Sequence, residues 1–179
     1  MPSNKDRLYI ALYARGGAAT MPGGEDEYHW GLVVGPKIEA ESKKGMLYHA
    51  KEQMIGPGQS TWVFEERSIS LLATSMLLVR IMVGKVESTE RLVNILRNVP
   101  IRQGLEDWNC VSWVHEALEA VAADDKALGT HRVDWQAVRD ASMWYVGEKK
   151  AQHRWDGSGD FDVKYAATYD LLAKKETIP

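Results

Sequence analysis

One cysteine and two histidines are the residues of this chain whose types and placement suggest chemistry. Cys110 is the single cysteine among 179 residues. With no second thiol it can form no intrachain disulfide and cannot join a four-thiolate zinc site. It follows Asp107-Trp108-Asn109 and opens an apolar stripe of Val111, Val114, Leu118 and Val121. That spacing predicts a helix over 107–123, with Asp107 or Asn109 as N-cap. A helix N-terminus carries a positive charge of roughly half a unit. The charge favours a thiolate, lowering the cysteine pKa, and unpaired N–H groups at the same end can hold an oxyanion. The competing reading is a cysteine used as a small core hydrophobe.

His29 lies in Tyr28-His29-Trp30-Gly31-Leu32-Val33-Val34, a segment with strand character. Side chains alternate across a strand, so His29 shares its face with Gly31 and Val33. The bulky Tyr28, Trp30, Leu32 and Val34 face the other way. The missing side chain at Gly31 leaves room beside the imidazole for another element or a substrate. A neutral imidazole can take a thiol proton near neutral pH. His49, in Tyr48-His49-Ala50, occupies the next strand and could orient the first imidazole from its far nitrogen. Asn109, Tyr28 and Trp30 are the neighbouring candidates for substrate or oxyanion contact. His115 is a poor base for Cys110, because five helical residues place the two about 140° apart. His131 and His153 sit in polar surroundings and read as surface residues. A zinc site of His29, His49 and Cys110 lacks any close paired spacing such as H-x-x-x-H. No phosphate-binding glycine motif is present. No metal and no cofactor is expected.

These side chains need a sheet and a helix to hold them. Residues 7–13, 28–34, 46–50, 61–65 and 77–86 read as strands, with Gly56-Pro57-Gly58 as a turn signal. Residues 15–26 contain four glycines and Pro22 and read as a flexible loop. The second half reads as helical: 89–98 with Ser88 as N-cap, 107–123, 133–146 with Asp134 near its start, and a last helix over 162–174. Residues 149–160 read as a polar surface loop. The expected class is α+β in one domain over 1–179. Its core is expected over about 7–122, with a helical extension over 123–179.

Composition narrows the function classes. Hydrophobic residues make up 45% and charged residues 26%, and the net charge is −3. This is ordinary globular composition without the broad basic face of a nucleic-acid binder. The longest apolar stretch, 71–83, is interrupted by Thr74, Ser75 and Arg80. A membrane span needs roughly 20 apolar residues, so no membrane anchor is expected. The N-terminus lacks a secretory signal pattern, and a cytoplasmic location is expected.

The order of motifs resembles the lecithin retinol acyltransferase-like family, in the permuted branch of the NlpC-type cysteine peptidase superfamily. The family's H-W-x-x-Y-V-G is matched at four positions by His29-Trp30-Gly31-Leu32-Val33-Val34-Gly35, with Val33 in place of the aromatic. Its second histidine maps onto His49, 20 residues on. Its N-C-E-H-F maps onto Asn109-Cys110-Val111-Ser112-Trp113, where Val111 and Ser112 depart. The PPPDE isopeptidases show a similar histidine-strand and N-C order and work with a Cys–His dyad. The likeness covers roughly residues 7–122. It implies a circularly permuted papain-like fold, an antiparallel sheet packed on helices with the nucleophile at a helix N-terminus. It also implies an acyl hydrolase or acyltransferase, with Cys110 as nucleophile, His29 as base and His49 as orienting residue. The substrate would be a small-molecule or peptide amide, ester or thioester. The alternatives are a PPPDE-like isopeptidase and a non-catalytic binding module.

Overall fold

The computed structural model describes residues 4–38, 44–73 and 76–179. Among the described residues eight strands and three α-helices follow in the order β1 (Arg7–Ala14), β2 (Tyr28–Gly35), β3 (Lys44–Gly56), β4 (Gln59–Ser70), β5 (Leu77–Val86), α1 (Thr89–Asn98), α2 (Cys110–Asp124), β6 (Leu128–His131), α3 (Trp135–Ala151), β7 (Ala167–Asp170) and β8 (Lys175–Ile178). The strands form one sheet in the spatial order β4-β3-β2-β1-β5-β7-β8, with β6 pairing β5. The class is α+β.

β1 shows how the sequence makes a central strand. Leu8, Ile10 and Leu12 point into the main core, while Tyr9 and Ala11 join a second, smaller cluster on the opposite face. A strand buried on both faces needs the unbroken apolar run that residues 8–13 supply. The main core receives side chains from all three helices, among them Leu92, Leu96, Val111, Trp113, Leu118 and Val138. The second cluster is built from strands and loops: Tyr9, Ala11, Val33, Leu47, Leu77, Met82 and Ala166. One face of the sheet therefore carries the helices and the other does not.

Helix starts follow their caps. Ser88 Oγ accepts from the Arg91 N–H at 3.2 Å, and Asp134 accepts from the Ala137 N–H at 3.1 Å. Asn109 caps α2 by accepting from the N–H groups of Val111 (2.9 Å) and Ser112 (3.3 Å), and Ser112 Oγ accepts in return from the Asn109 N–H at 3.1 Å. This is a reciprocal capping box made with serine at the third helical position.

The C-terminal third differs from the expected helical extension. It supplies β6, β7 and β8 as well as α3, and the expected helix over 162–174 is replaced by β7 and a turn. β7 runs parallel to β5, with Val79 opposite Ala167 and Met82 opposite Asp170, so the sheet is not wholly antiparallel. The C-terminal segment thus completes the sheet that the first half begins. Lys149 lies in α3, not in a surface loop, and is buried. The apolar stretch over 71–83 is not one strand: β5 begins at Leu77, and residues 74–75 lie outside the described residues. Among the described residues no helix is long and apolar enough to cross a membrane.

Candidate functional site

β2 pairs with β1 along its whole length but with β3 only from Leu32 opposite Tyr48 to Val34 opposite Met46. Below Leu32 the β2–β3 ladder ends, while β3 continues as a long hairpin with β4. His29 and His49 face each other across this opening, His29 Nε2 lying 2.6 Å from His49 Nδ1. Gly31 makes the approach possible. A Cβ there would lie 2.9 Å from a Leu47 methyl and 3.3 Å from the His49 Cβ. The element admitted by the missing side chain is therefore β3, as the sequence allowed.

A third residue extends the series. Glu65 sits directly opposite His49 in the β3–β4 register, and its Oε1 lies 2.9 Å from His49 Nε2. Its other oxygen is ion-paired with Lys51. Sequence reading did not single out Glu65, yet a signal existed. Gly56-Pro57-Gly58 turns the chain, and folding the two arms about Pro57 sets 49 against 65.

Cys110 is the first residue of α2 and is fully buried. The backbone N–H of Trp30, the residue after His29, acts on the thiol and lowers its pKa. The positive charge of Arg15 acts on both His29 and Cys110, lowering the pKa of each. Burial dominates the electrostatics. It pushes His29 down to about 4, with the neighbouring His49 and Arg15 adding to the effect. His49 is also lowered by burial, against the pull of the Glu65 carboxylate. Glu65 is held down at about 2 by its hydrogen bonds from Lys51 and His49. The Cys110 thiol is raised by burial, which outweighs the N–H groups of Trp30 and Val111 and the charge of Arg15. This corrects the helix-terminus argument, which predicted a lowered thiol. Desolvation of a fully enclosed sulfur exceeds what the helix end returns. At neutral pH the resting pair is a thiol and a neutral imidazole.

Other sequence candidates take different places. The Trp30 ring is a core residue, its Nε1 donating to the Glu25 carbonyl at 2.8 Å, and Tyr28 is buried in the same cluster. Neither ring reads as a substrate contact, and it is the backbone of Trp30 that acts on the thiol. The Asn109 side chain is committed to capping through its oxygen, while Nδ2 contacts Met21 Sδ at 3.6 Å. The glycine-rich segment 15–26 is tied down. The Asp26 carboxylate accepts from the N–H groups of Thr20 and Met21 and from Thr20 Oγ1 at 2.5 Å. Burial alone would raise its carboxyl, but these bonds prevail and lower it. His115 stacks on Trp135 at 4.6 Å and pairs with Glu119, and His131 and His153 are exposed.

A cavity of about 900 Å³ lies at the far end of the helix-free face, lined by Arg7, Tyr9, Arg80, Met82, Thr168 and Asp170 among others. Cys110, His29, His49 and Glu65 do not line it. From Tyr9 beside it to Tyr13, which opposes His29, is four strand residues, or roughly 13 Å.

No curated protein and no solved structure matches the chain. A family model does, over residues 5–178, and the chain belongs to DUF6914, a family of unknown function.

Proposed function

We propose that this protein is a cysteine-dependent acyl hydrolase or acyltransferase of permuted papain-like design. The observation that carries the reading is the hydrogen-bonded series His29–His49–Glu65, in a chain whose single cysteine opens a helix. The motif order shared with lecithin retinol acyltransferase-like proteins supports the same assignment. Because thiol and imidazole are both neutral at rest, His29 acts as general base during attack, not as half of a standing ion pair. The sulfur attacks the acyl carbon as its proton passes to His29. The leaving group departs with that proton, and the thioester is then passed to water or to an acceptor amine or alcohol. Asn109 engages the N–H groups of Val111 and Ser112, so the Cys110 N–H is the helix-end donor assigned to the oxyanion.

The test uses p-nitrophenyl acetate and intact-protein mass spectrometry. The expected result is a burst of nitrophenolate and one hydroxylamine-sensitive acetyl group on Cys110, both lost in Cys110→Ala. A second reading, a binding module that keeps these parts without turnover, is favoured by the complete burial of Cys110. Cys110 that reacts with the ester or with iodoacetamide only after denaturation would establish that second reading.

A further inference from the structure

We infer that Glu65, clamped by Lys51, is a positioning residue that fixes the tautomers of His49 and His29 and so decides which nitrogen is offered to Cys110. The consequence for catalysis rests on the proposed cysteine chemistry; the tautomers themselves can be read without turnover.

The argument follows the protons. An ionised carboxylate only accepts, so Glu65 Oε1, 2.9 Å from His49 Nε2, must receive a proton from that nitrogen. A neutral imidazole carries one N–H. His49 is therefore bare at Nδ1, and Nδ1 can only accept. The atom 2.6 Å away is His29 Nε2, which must then donate. His29 is left with its proton on Nε2 and a free lone pair on Nδ1. That lone pair is the one able to take the Cys110 proton. When it does, the new imidazolium donates through His49 toward a carboxylate, which stabilises the charge.

Lys51 makes the arrangement directional. Its ammonium holds Glu65 Oε2, and Arg67 Nε stands 3.9 Å from Oε1. The carboxylate is thus kept ionised, below the range of either histidine. An amide in its place would behave differently. Lys51 can only donate, so it would claim the amide oxygen and turn the NH₂ toward His49. His49 would then have to accept at Nε2 and carry its proton on Nδ1. His29 would accept in turn at Nε2 and carry its own proton on Nδ1, with no lone pair left for the thiol. The isosteric change Glu65→Gln should therefore reverse both imidazoles.

The experiment is long-range ¹H–¹⁵N correlation on protein labelled with ¹⁵N-histidine, at about pH 7.5, above the His29 value of about 4. In the wild type both histidines should carry the proton on Nε2. In Glu65→Gln both should move to Nδ1, and iodoacetamide labelling of native Cys110 should slow by roughly 10²-fold or more, the scale of a lost general base. Adding Lys51→Met to Glu65→Gln frees the amide oxygen to face His49 and should return both protons to Nε2. That return also shows that the single variant had folded. A wild-type His29 protonated on Nδ1 would overturn the inference, as would a Glu65→Gln protein with unchanged tautomers. Tautomers that switch as expected around a wild-type Cys110 inert to iodoacetamide would uphold Glu65's role and overturn the proposed function.

Discussion

Two carboxylate–lysine pairs in this molecule use the same parts to different ends. Glu65 is held by Lys51 and accepts from His49. Glu176, in β8, is held by Lys149 and accepts from the Tyr145 hydroxyl at 2.6 Å. The second group is the more buried on its helix side: Lys149 and Tyr145 are both enclosed, and Arg154 beside them donates to the carbonyls of Pro179, Asp162 and Tyr165. Burial, reinforced by Glu176, raises the Tyr145 phenol far above its ordinary value. Its proton stays in place at any pH the fold survives, so the group fastens the C-terminus to α3. Around Glu65 the next atoms are imidazole nitrogens, each able either to donate or to accept a proton. What lies beyond the carboxylate separates a fastener from the series on which the proposed chemistry rests.

The largest expected contrast is in reactivity. His29→Ala should lower the acylation rate of Cys110 by roughly 10²–10⁴-fold, measured as the nitrophenolate burst. Tyr145→Phe should leave that burst unchanged. An equal loss in both would erase the distinction.

Next comes stability. Glu176→Ala takes the carboxylate from the buried Lys149 and leaves Gln152 Oε1 as its acceptor, and should cost about 3 kcal/mol in urea unfolding. Labelling of the folded fraction should stay at the wild-type rate. A loss below about 0.5 kcal/mol would place the clamp with ordinary surface pairs.

The pH dependence of stability gives a smaller effect with a definite sign. His29 falls from an ordinary 6.5 to about 4 in the folded protein. A depressed pKa contributes stability that is complete above the unfolded value and is lost as pH falls toward the folded one. Between pH 7 and pH 5 the protein should lose about 2 kcal/mol from this group. The lowered His49 acts in the same direction. Glu65, at about 2, keeps its contribution throughout this window and loses it only as pH falls below its ordinary value of 4.5. His29→Gln should flatten the slope, and an unchanged slope would assign the loss elsewhere.

The smallest effect concerns Arg15, whose charge lowers both His29 and Cys110. Arg15→Ala should raise the pH midpoint of Cys110 alkylation by a few tenths of a unit, because an exposed charge is well screened. The difference should vanish in roughly 1 M salt.

How much of this was legible in the sequence depends on how local each feature is. Strand β2, a helix over 107–123 with Asp107 or Asn109 as cap, the cap Ser88 and a helix start near Asp134 were readable, because alternation, apolar spacing and capping are short-range. The close approach at Gly31 was readable for the same reason. Glu65 was not picked out, although the hairpin turn defined its partner, because pairing must be counted outward from the turn. β7 and β8 were missed for a physical reason. Each is four residues long, and β7 is a strand by virtue of its pairing with β5, with Thr168 meeting Arg80 from 88 positions away. The thiol's direction of shift was misjudged because burial of Cys110 depends on everything packed around α2, which no local pattern records.

The β3–β4 hairpin outruns its neighbour: β2 accompanies β3 only as far as Tyr48, while the hairpin continues to Gly56. Its tip is free, with Met54 and Ile55 67% and 62% exposed. His49 and Glu65 sit near the root, so the distal arm is spare length as far as their meeting is concerned. A sheet face repeats every two residues, and a one-residue slip sends each side chain to the opposite side. Removing or adding whole cross-strand pairs beyond Lys51 and Val63 would therefore keep Glu65 opposite His49. Removing one residue from a single arm would break the match while leaving a hairpin that still folds. Trp62 is held by Gln103 and packs on Trp108, so the spare length lies beyond it, and the balance of each change between the two strands decides whether His49 and Glu65 still meet.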